Sequence, residues 1–117
     1  MVMDKQKTGK PKLDRLIHEP ARLQIVSYLA AAEEPEVSFS ELSEKLGLTA
    51  GNLSVQLKRL EEAGYLSIAK AFKENRPLTT VMITRNGIAA LKLYLQELEE
   101  LIGHLKNTMP EGEKEKR

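Results

Sequence analysis

The chain has 117 residues, of which 41% are hydrophobic, 30% charged and 4% aromatic, with no Cys and no Trp. This length suits one domain with a single core and excludes two-domain architectures and large barrels. The missing cysteines exclude disulfide scaffolds, thiolate zinc sites and Cys nucleophiles. No apolar run approaches the ~20 residues of a membrane span, and the basic start is not followed by an apolar stretch, so a soluble, cytoplasmic protein with no membrane partner is expected.

Eighteen Lys and Arg against seventeen Asp and Glu leave a net charge of +1, less basic than most nucleic-acid-binding domains. The average hides a pattern: residues 1–22 sum to +3, 23–48 to −4, 49–87 to +3 and 88–117 to −1. Positive charge therefore sits in two blocks, and the second of them carries the most informative motifs.

Residues 1–12, with four lysines, Gly9 and Pro11, hold too little apolar surface to offset the entropy of ordering them. They are expected to form a flexible basic arm, and residues 110–117 a disordered tail. A helical signal begins at Leu13, Leu16 and Ile17. A second stretch carries Leu23, Ile25, Val26 and Leu29, with Pro20 best placed as its N1 residue, and ends near Ala32.

In Val37-Ser38-Phe39-Ser40-Glu41-Leu42, Ser38 and Glu41 have capping-box spacing, and Val37 and Leu42 have staple spacing. A short helix is expected from Ser38 to Leu46, with Gly47 turning the chain. Thr49 then caps a helix in which Leu53, Leu57 and Leu60 form one buried stripe, stopped by Gly64. Two short helices joined by a tight turn around a glycine constitute a helix-turn-helix.

Beyond Gly64 the period changes. Leu66, Ile68 and Phe72 alternate with small or polar residues, and a β-branched run from Thr79 to Ile83 follows the polar stretch Lys73-Glu74-Asn75-Arg76-Pro77. A two-stranded hairpin is expected, with Asn75 and Pro77 ending the pairing at its tip. Thr84 caps a final helix running to about Asn107. Ile88, Leu91, Leu95, Leu98, Ile102, Leu105 and Met109 follow a 3–4 heptad spacing, widened by Tyr94 and Leu101 at the g positions. So apolar a helix needs covering: Ile88, Leu91 and Leu95 could instead cover the domain's own core, whereas from Leu98 to Met109 the helix projects beyond it and a second copy of the chain is the expected cover.

Catalysis finds no support. His18 and His104 are 86 positions apart, and no phosphate loop, His-x-x-x-His or Ser-centred elbow occurs. Glu33, Glu34 and Glu36, like Glu97, Glu99 and Glu100, read as solvated faces. The chain is thus read as a non-enzyme without cofactor or metal.

The helix from 49 to 63 is more informative. At 100° per residue its solvent side carries Gly51, Val55, Lys58, Arg59 and Glu62, flanked by Asn52 and Ser54. Its first half is small and uncharged, which suits insertion into a major groove, where Asn, Gln and Ser can hydrogen-bond base edges. Lys58 and Arg59, a turn further on, are placed for phosphate, as is the helix N-terminus at Thr49 and Ala50. Lys70, Lys73, Asn75 and Arg76 put charge on the hairpin, in reach of backbone or minor groove. A bland alternative is a merely solvated helix face; a further one is a protein-interaction module, although the face is neither acidic nor apolar.

The stretch His18-Glu19-Pro20-Ala21-Arg22-Leu23-Gln24-Ile25-Val26-Ser27-Tyr28-Leu29 resembles the Asp-Pro-x-Arg-x-x-Ile-Leu-x-x-Leu opening of ArsR-type repressors. Leu48 to Tyr65 resembles the recognition helix of ArsR/MarR-like winged-helix regulators. With Thr84-Arg85-Asn86-Gly87, it is closest to short stand-alone winged-helix regulators of bacteria and archaea. The resemblance covers about residues 13–105. It implies a mainly α fold with a small β-hairpin (α+β), a winged helix-turn-helix over 13–87, and a dimerisation helix over 88–109.

It also implies that residues matching Asn52, Ser54 and Gln56 face bases and that the hairpin tip faces the DNA backbone. Terminal helices would form a homodimer, bringing Leu13 and Leu16 to the interface beside the seam from Ile88 to Met109. The partner implied is double-stranded DNA carrying a pseudo-palindromic site. The chain departs from metal-sensing relatives in lacking their Cys pair and a clustered His or Asp set on the last helix, and position 56 is Gln where many relatives have His. No polar cluster identifies a small-molecule effector.

Overall fold

A computed structural model describes residues 12–110; the expected arm up to residue 11 and the tail from residue 111 lie outside them. The elements are α1 (Pro20–Ala31), β1 (Val37–Ser38), α2 (Phe39–Leu46), α3 (Ala50–Glu62), β2 (Leu66–Lys73), β3 (Arg76–Ile83) and α4 (Arg85–Thr108). Every element contributes to one core: Ile25, Val26 and Leu29 from α1, Leu42 from α2, Leu53, Leu57 and Leu60 from α3, and Leu91 and Tyr94 from α4. The strands add Val37, Leu66 and Val81. The fold is a winged helix with a long last helix.

The helix starts follow the capping chemistry read from the sequence. Ser38, Thr49 and Thr84 each accept a bond from the backbone N–H three residues on, at 3.0, 3.1 and 3.0 Å. The box at Ser38 is only half made, because Glu41 Oε2 instead accepts from the Tyr28 hydroxyl of α1. Pro20 opens α1 as expected, and Glu19 caps it by accepting from Arg22 N at 2.9 Å. Gly47 closes α2 in the left-handed region at φ 68°.

Three local expectations change. The segment around Leu13, Leu16 and Ile17 is a run of turns, not a helix. Asp14 Oδ1 accepts from Leu16 N and Ile17 N, and Pro20 follows too soon for a second helical turn to form. The sheet has three strands, not two, in the order β1-β3-β2, with Val37 and Ser38 pairing antiparallel to Val81 and Thr80.

Pairing in the hairpin also continues further than expected, through Phe72–Pro77 to Lys73–Arg76, leaving only Glu74 and Asn75 as the turn, at φ 53° and 64°. Those are type I′ values, matching the twist of the flanking strands. With Lys73 and Arg76 as the bonded closing pair, Phe72 and Pro77 form the next, non-bonded pair. The missing N–H of Pro77 then faces the open edge and costs the ladder nothing.

The last helix has two apolar sides. Gly87, Leu91 and Tyr94 are buried and Leu98 packs against the core, so Leu91 and Leu98, read as seam residues, and Tyr94, read as widening it, turn toward their own domain. Ile88, Leu95, Ile102 and Met109, one heptad position round the helix, are exposed. Leu105 is also exposed and Leu101 half-buried, while Leu13 and Leu16 lie half-buried against the core.

Candidate nucleic-acid interface

The Leu53–Leu57–Leu60 stripe holds α3 against the core, which turns its other side outward. Thr49, Ala50, Gly51, Asn52, Ser54, Val55, Lys58 and Arg59 are all exposed, Val55 at 51%. The exposed run lacks charge until Lys58. An open Gly51, with nothing within 4 Å of a built Cβ, makes the first turn the least bulky part of the helix. Three N–H groups at this end are not spent inside the helix, and Thr49 satisfies only that of Asn52.

Gln56 differs from the rest of the expected set. It is half-buried, and its carboxamide is fixed at both ends: Oε1 accepts from Arg22 Nη1 at 2.7 Å, and Nε2 donates to Asn52 Oδ1 at 3.0 Å. Arg22 is itself pinned, its Nε donating to the Leu16 carbonyl at 2.6 Å. Reading the sequence for exposed side chains passes over Arg22. The signal was nonetheless present, since Arg22 stands at i to the buried Ile25, Val26 and Leu29 at i+3, i+4 and i+7. A cation on an apolar stripe requires a polar partner.

The wing brings Lys70, Lys73, Asn75 and Arg76 together on one exposed projection. The helix and the wing meet at a cleft of about 490 Å³ lined by the apolar Phe39, Leu57 and Ile68, with Lys58 and Glu61 contributed by α3 and Lys70 by the wing. Lys58 makes a 4.0 Å ion pair with Glu62. Both partners are well exposed, so this pair is weak and leaves Lys58 available to an external anion. Phe72, which shares a strand face with Leu66 and Ile68 by alternation, is nonetheless 76% exposed, because it lies next to the wing turn, one pair before the closing Lys73–Arg76 pair. Among the described residues no group of three or more His, Cys, Asp or Glu could hold a metal ion, and no helix is long and apolar enough to cross a membrane.

Residues 21–102 match the family model for a winged helix DNA-binding domain. An uncharacterized protein of Methanocaldococcus jannaschii is 37% identical over 87 residues, covering 74% of this chain and 92% of that protein. The transcriptional regulator homologue protein from Pyrococcus horikoshii has a similar structure, with a TM-score of 0.72 and 30% identity over 90% of this chain and 98% of that one. A variant of MepR from S. aureus, solved bound to an oligodeoxyribonucleotide, shares the fold at a TM-score of 0.63 and 19% identity, covering 96% of this chain and 80% of that one. With the Thr49 cap, α3 and the β2–β3 hairpin all inside the matched region, the chain belongs to the winged helix DNA-binding domain family.

Proposed function

We propose that the chain is a homodimeric transcriptional regulator that binds double-stranded DNA sequence-specifically and acts by occupancy, not catalysis, in the cytoplasm. The helix from 49 to 63 enters the major groove, and the wing from 70 to 77 lies on the backbone or in the minor groove. The observation that carries this reading is the graded outer face of α3. It is small and uncharged at Gly51, Asn52 and Ser54, then cationic at Lys58 and Arg59, with Lys70 across one cleft. Small polar residues admit base edges, and cations a turn later meet phosphate.

Dimerisation is supported by the exposed row Ile88, Leu95, Ile102, Leu105 and Met109 along α4. A row at heptad spacing on a 24-residue helix suits a partner helix. Two recognition helices related by a two-fold axis would then address half-sites about 34 Å apart, hence a pseudo-palindrome.

The test is a salt titration of duplex binding with the wild type, Lys58→Ala and Arg59→Ala. Log affinity is expected to fall linearly with log salt, and each substitution to reduce the slope by about one unit. Salt-insensitive binding, identical in all three proteins, overturns the reading. So does capture of a stoichiometric protein partner by a chain that binds no duplex.

A further inference from the structure

Arg22, Gln56 and Asn52 form a chain of hydrogen bonds with a single direction. A guanidinium has donors only, so the Gln56 atom facing Arg22 Nη1 at 2.7 Å must be the carbonyl oxygen. The Gln56 amino group then points the other way, and the Asn52 atom it meets at 3.0 Å must also be an oxygen. What the chain leaves at its outer end is Asn52 Nδ2, with both protons, beside the second proton of Gln56 Nε2. Among the described residues Nδ2 has no hydrogen-bond partner, and Asn52 is exposed. Arg22 cannot turn away to relax this order, because Nε is held on the Leu16 carbonyl at 2.6 Å and the residue is half-buried on α1.

We infer that Arg22 is a positioning residue that sets the donor–acceptor polarity of the reading surface, making Asn52 and Gln56 a donor head that selects guanine. This rests on the proposal that α3 reads bases. Guanine offers two acceptors, N7 and O6, to the major groove. Adenine pairs with a carboxamide through one acceptor and one donor, and cytosine offers a donor; both call on an amide oxygen. Here both amide oxygens are turned inward along the chain, Gln56 Oε1 toward Arg22 and Asn52 Oδ1 toward Gln56, so its outer end presents protons rather than lone pairs. The residue that decides base preference thus lies behind the recognition helix and touches no DNA.

The experiment selects bound duplexes from a random library with the wild type, Arg22→Lys and Arg22→Glu, then tests base analogues in the wild-type consensus. The wild type is expected to lose roughly 5- to 100-fold in affinity when one consensus guanine per half-site becomes 7-deazaguanine. It is expected to be indifferent to purine in place of any adenine near that position. Arg22→Lys keeps a donor at the base of the chain and keeps the guanine. Arg22→Glu supplies only acceptors, so Gln56 and Asn52 turn over, Asn52 Oδ1 faces outward, and the consensus at that position moves to adenine or cytosine.

An unchanged guanine with a folded Arg22→Glu protein overturns the inference. So does a wild type that loses affinity when the adenine N6 amino group is removed at the contacted position. If Arg22→Glu does not fold, the wild-type analogue arm decides alone. A wild type that binds no duplex at all overturns instead the reading of α3 on which the inference stands.

Discussion

Gly87 sits so close to Tyr65 that a Cβ added to it would stand 2.1 Å from the Tyr65 carbonyl oxygen and 2.8 Å from Ile83 Cγ1. The same carbonyl accepts from Thr84 N at 3.0 Å, and the Thr84 hydroxyl donates to the Gly64 carbonyl at 2.7 Å while capping α4. The end of α3, the root of the wing and the start of α4 are therefore locked at one point, which fixes the wing relative to α3.

Gly87→Ala is accordingly expected to destabilise the domain despite the better helix propensity of alanine. Backbone cannot yield as a flexible side chain does, and overpacking costs about 1–3 kcal/mol or more. For a domain of this size Tm should fall by roughly 10 °C. Gly51→Ala is the contrast: with open space around it, up to about 1 kcal/mol of stability should be gained, while under the proposed function duplex affinity should drop, because the methyl group would stand on the turn that enters the groove. Thermal melting and a binding isotherm on both variants check the pair, and a stable Gly87→Ala protein would show that the junction is soft.

The Tyr65 hydroxyl donates to Asp14 Oδ2, and its pKa is pushed up to about 12, first by that hydrogen bond to a carboxylate, then by burial and by the carboxylate charge. A tyrosine whose folded pKa exceeds its unfolded value of 10.0 stabilises the fold fully below pH 10, and that contribution is lost as pH rises through 12. Tyr65→Phe should thus be less stable than the wild type at neutral pH, with the gap closing between about pH 10 and 12. Denaturant midpoints across that range test it, and a gap that does not narrow rules out the linkage.

Tyr94 is 2% exposed, and its hydroxyl shares a 2.7 Å hydrogen bond with His18 Nδ1, tying the N-terminal turns to α4. Tyr94→Phe removes a bonded pair member without leaving a buried polar atom and should cost about 1 kcal/mol. His18→Ala strands the buried hydroxyl and should cost more, about 1–3 kcal/mol. The double variant should then be less destabilised than the sum of the two single changes, as a double-mutant cycle measures. Strict additivity would mean that the contact contributes nothing to folding.

Ile102 and Leu105 are 44% and 46% exposed, so changing them should not disturb the core. Under the proposed dimer, Ile102→Glu/Leu105→Glu should halve the mass seen by light scattering while helix content stays constant. It should also weaken duplex binding strongly, since each half-site is then held alone. A variant that retains the wild-type mass argues against the α4 row as the interface.

Much local order proved legible from short-range chemistry, although the Asp14 turns and the two-residue wing turn, equally local, were not read. Ser38, Thr49 and Thr84 cap as their spacing implies, Gly47 turns left-handed, and the Leu53–Leu57–Leu60 stripe is buried, because caps and amphipathic periods are satisfied within a few residues of chain. The exposed face of α3 followed from the same stripe by rotation alone.

Contacts between distant segments were decided only by tertiary structure. The third strand needs Val37 beside Val81, the Asp14 carboxylate accepts from Tyr65, 51 positions away, and the heptad row on α4 divides because the domain takes Leu91, Tyr94 and Leu98 for itself. A period states which residues share a face, but not how many bodies press on a helix. Charge behaves the same way. A net +1 looked ill suited to nucleic acid, and the sequence by itself located the positive blocks. Only the fold brings Lys58 opposite Lys70 across one cleft and sets Arg22 behind Gln56, 34 positions away. The physical reason is that Coulombic and hydrogen-bonding partners are chosen by proximity in space, which no local pattern encodes.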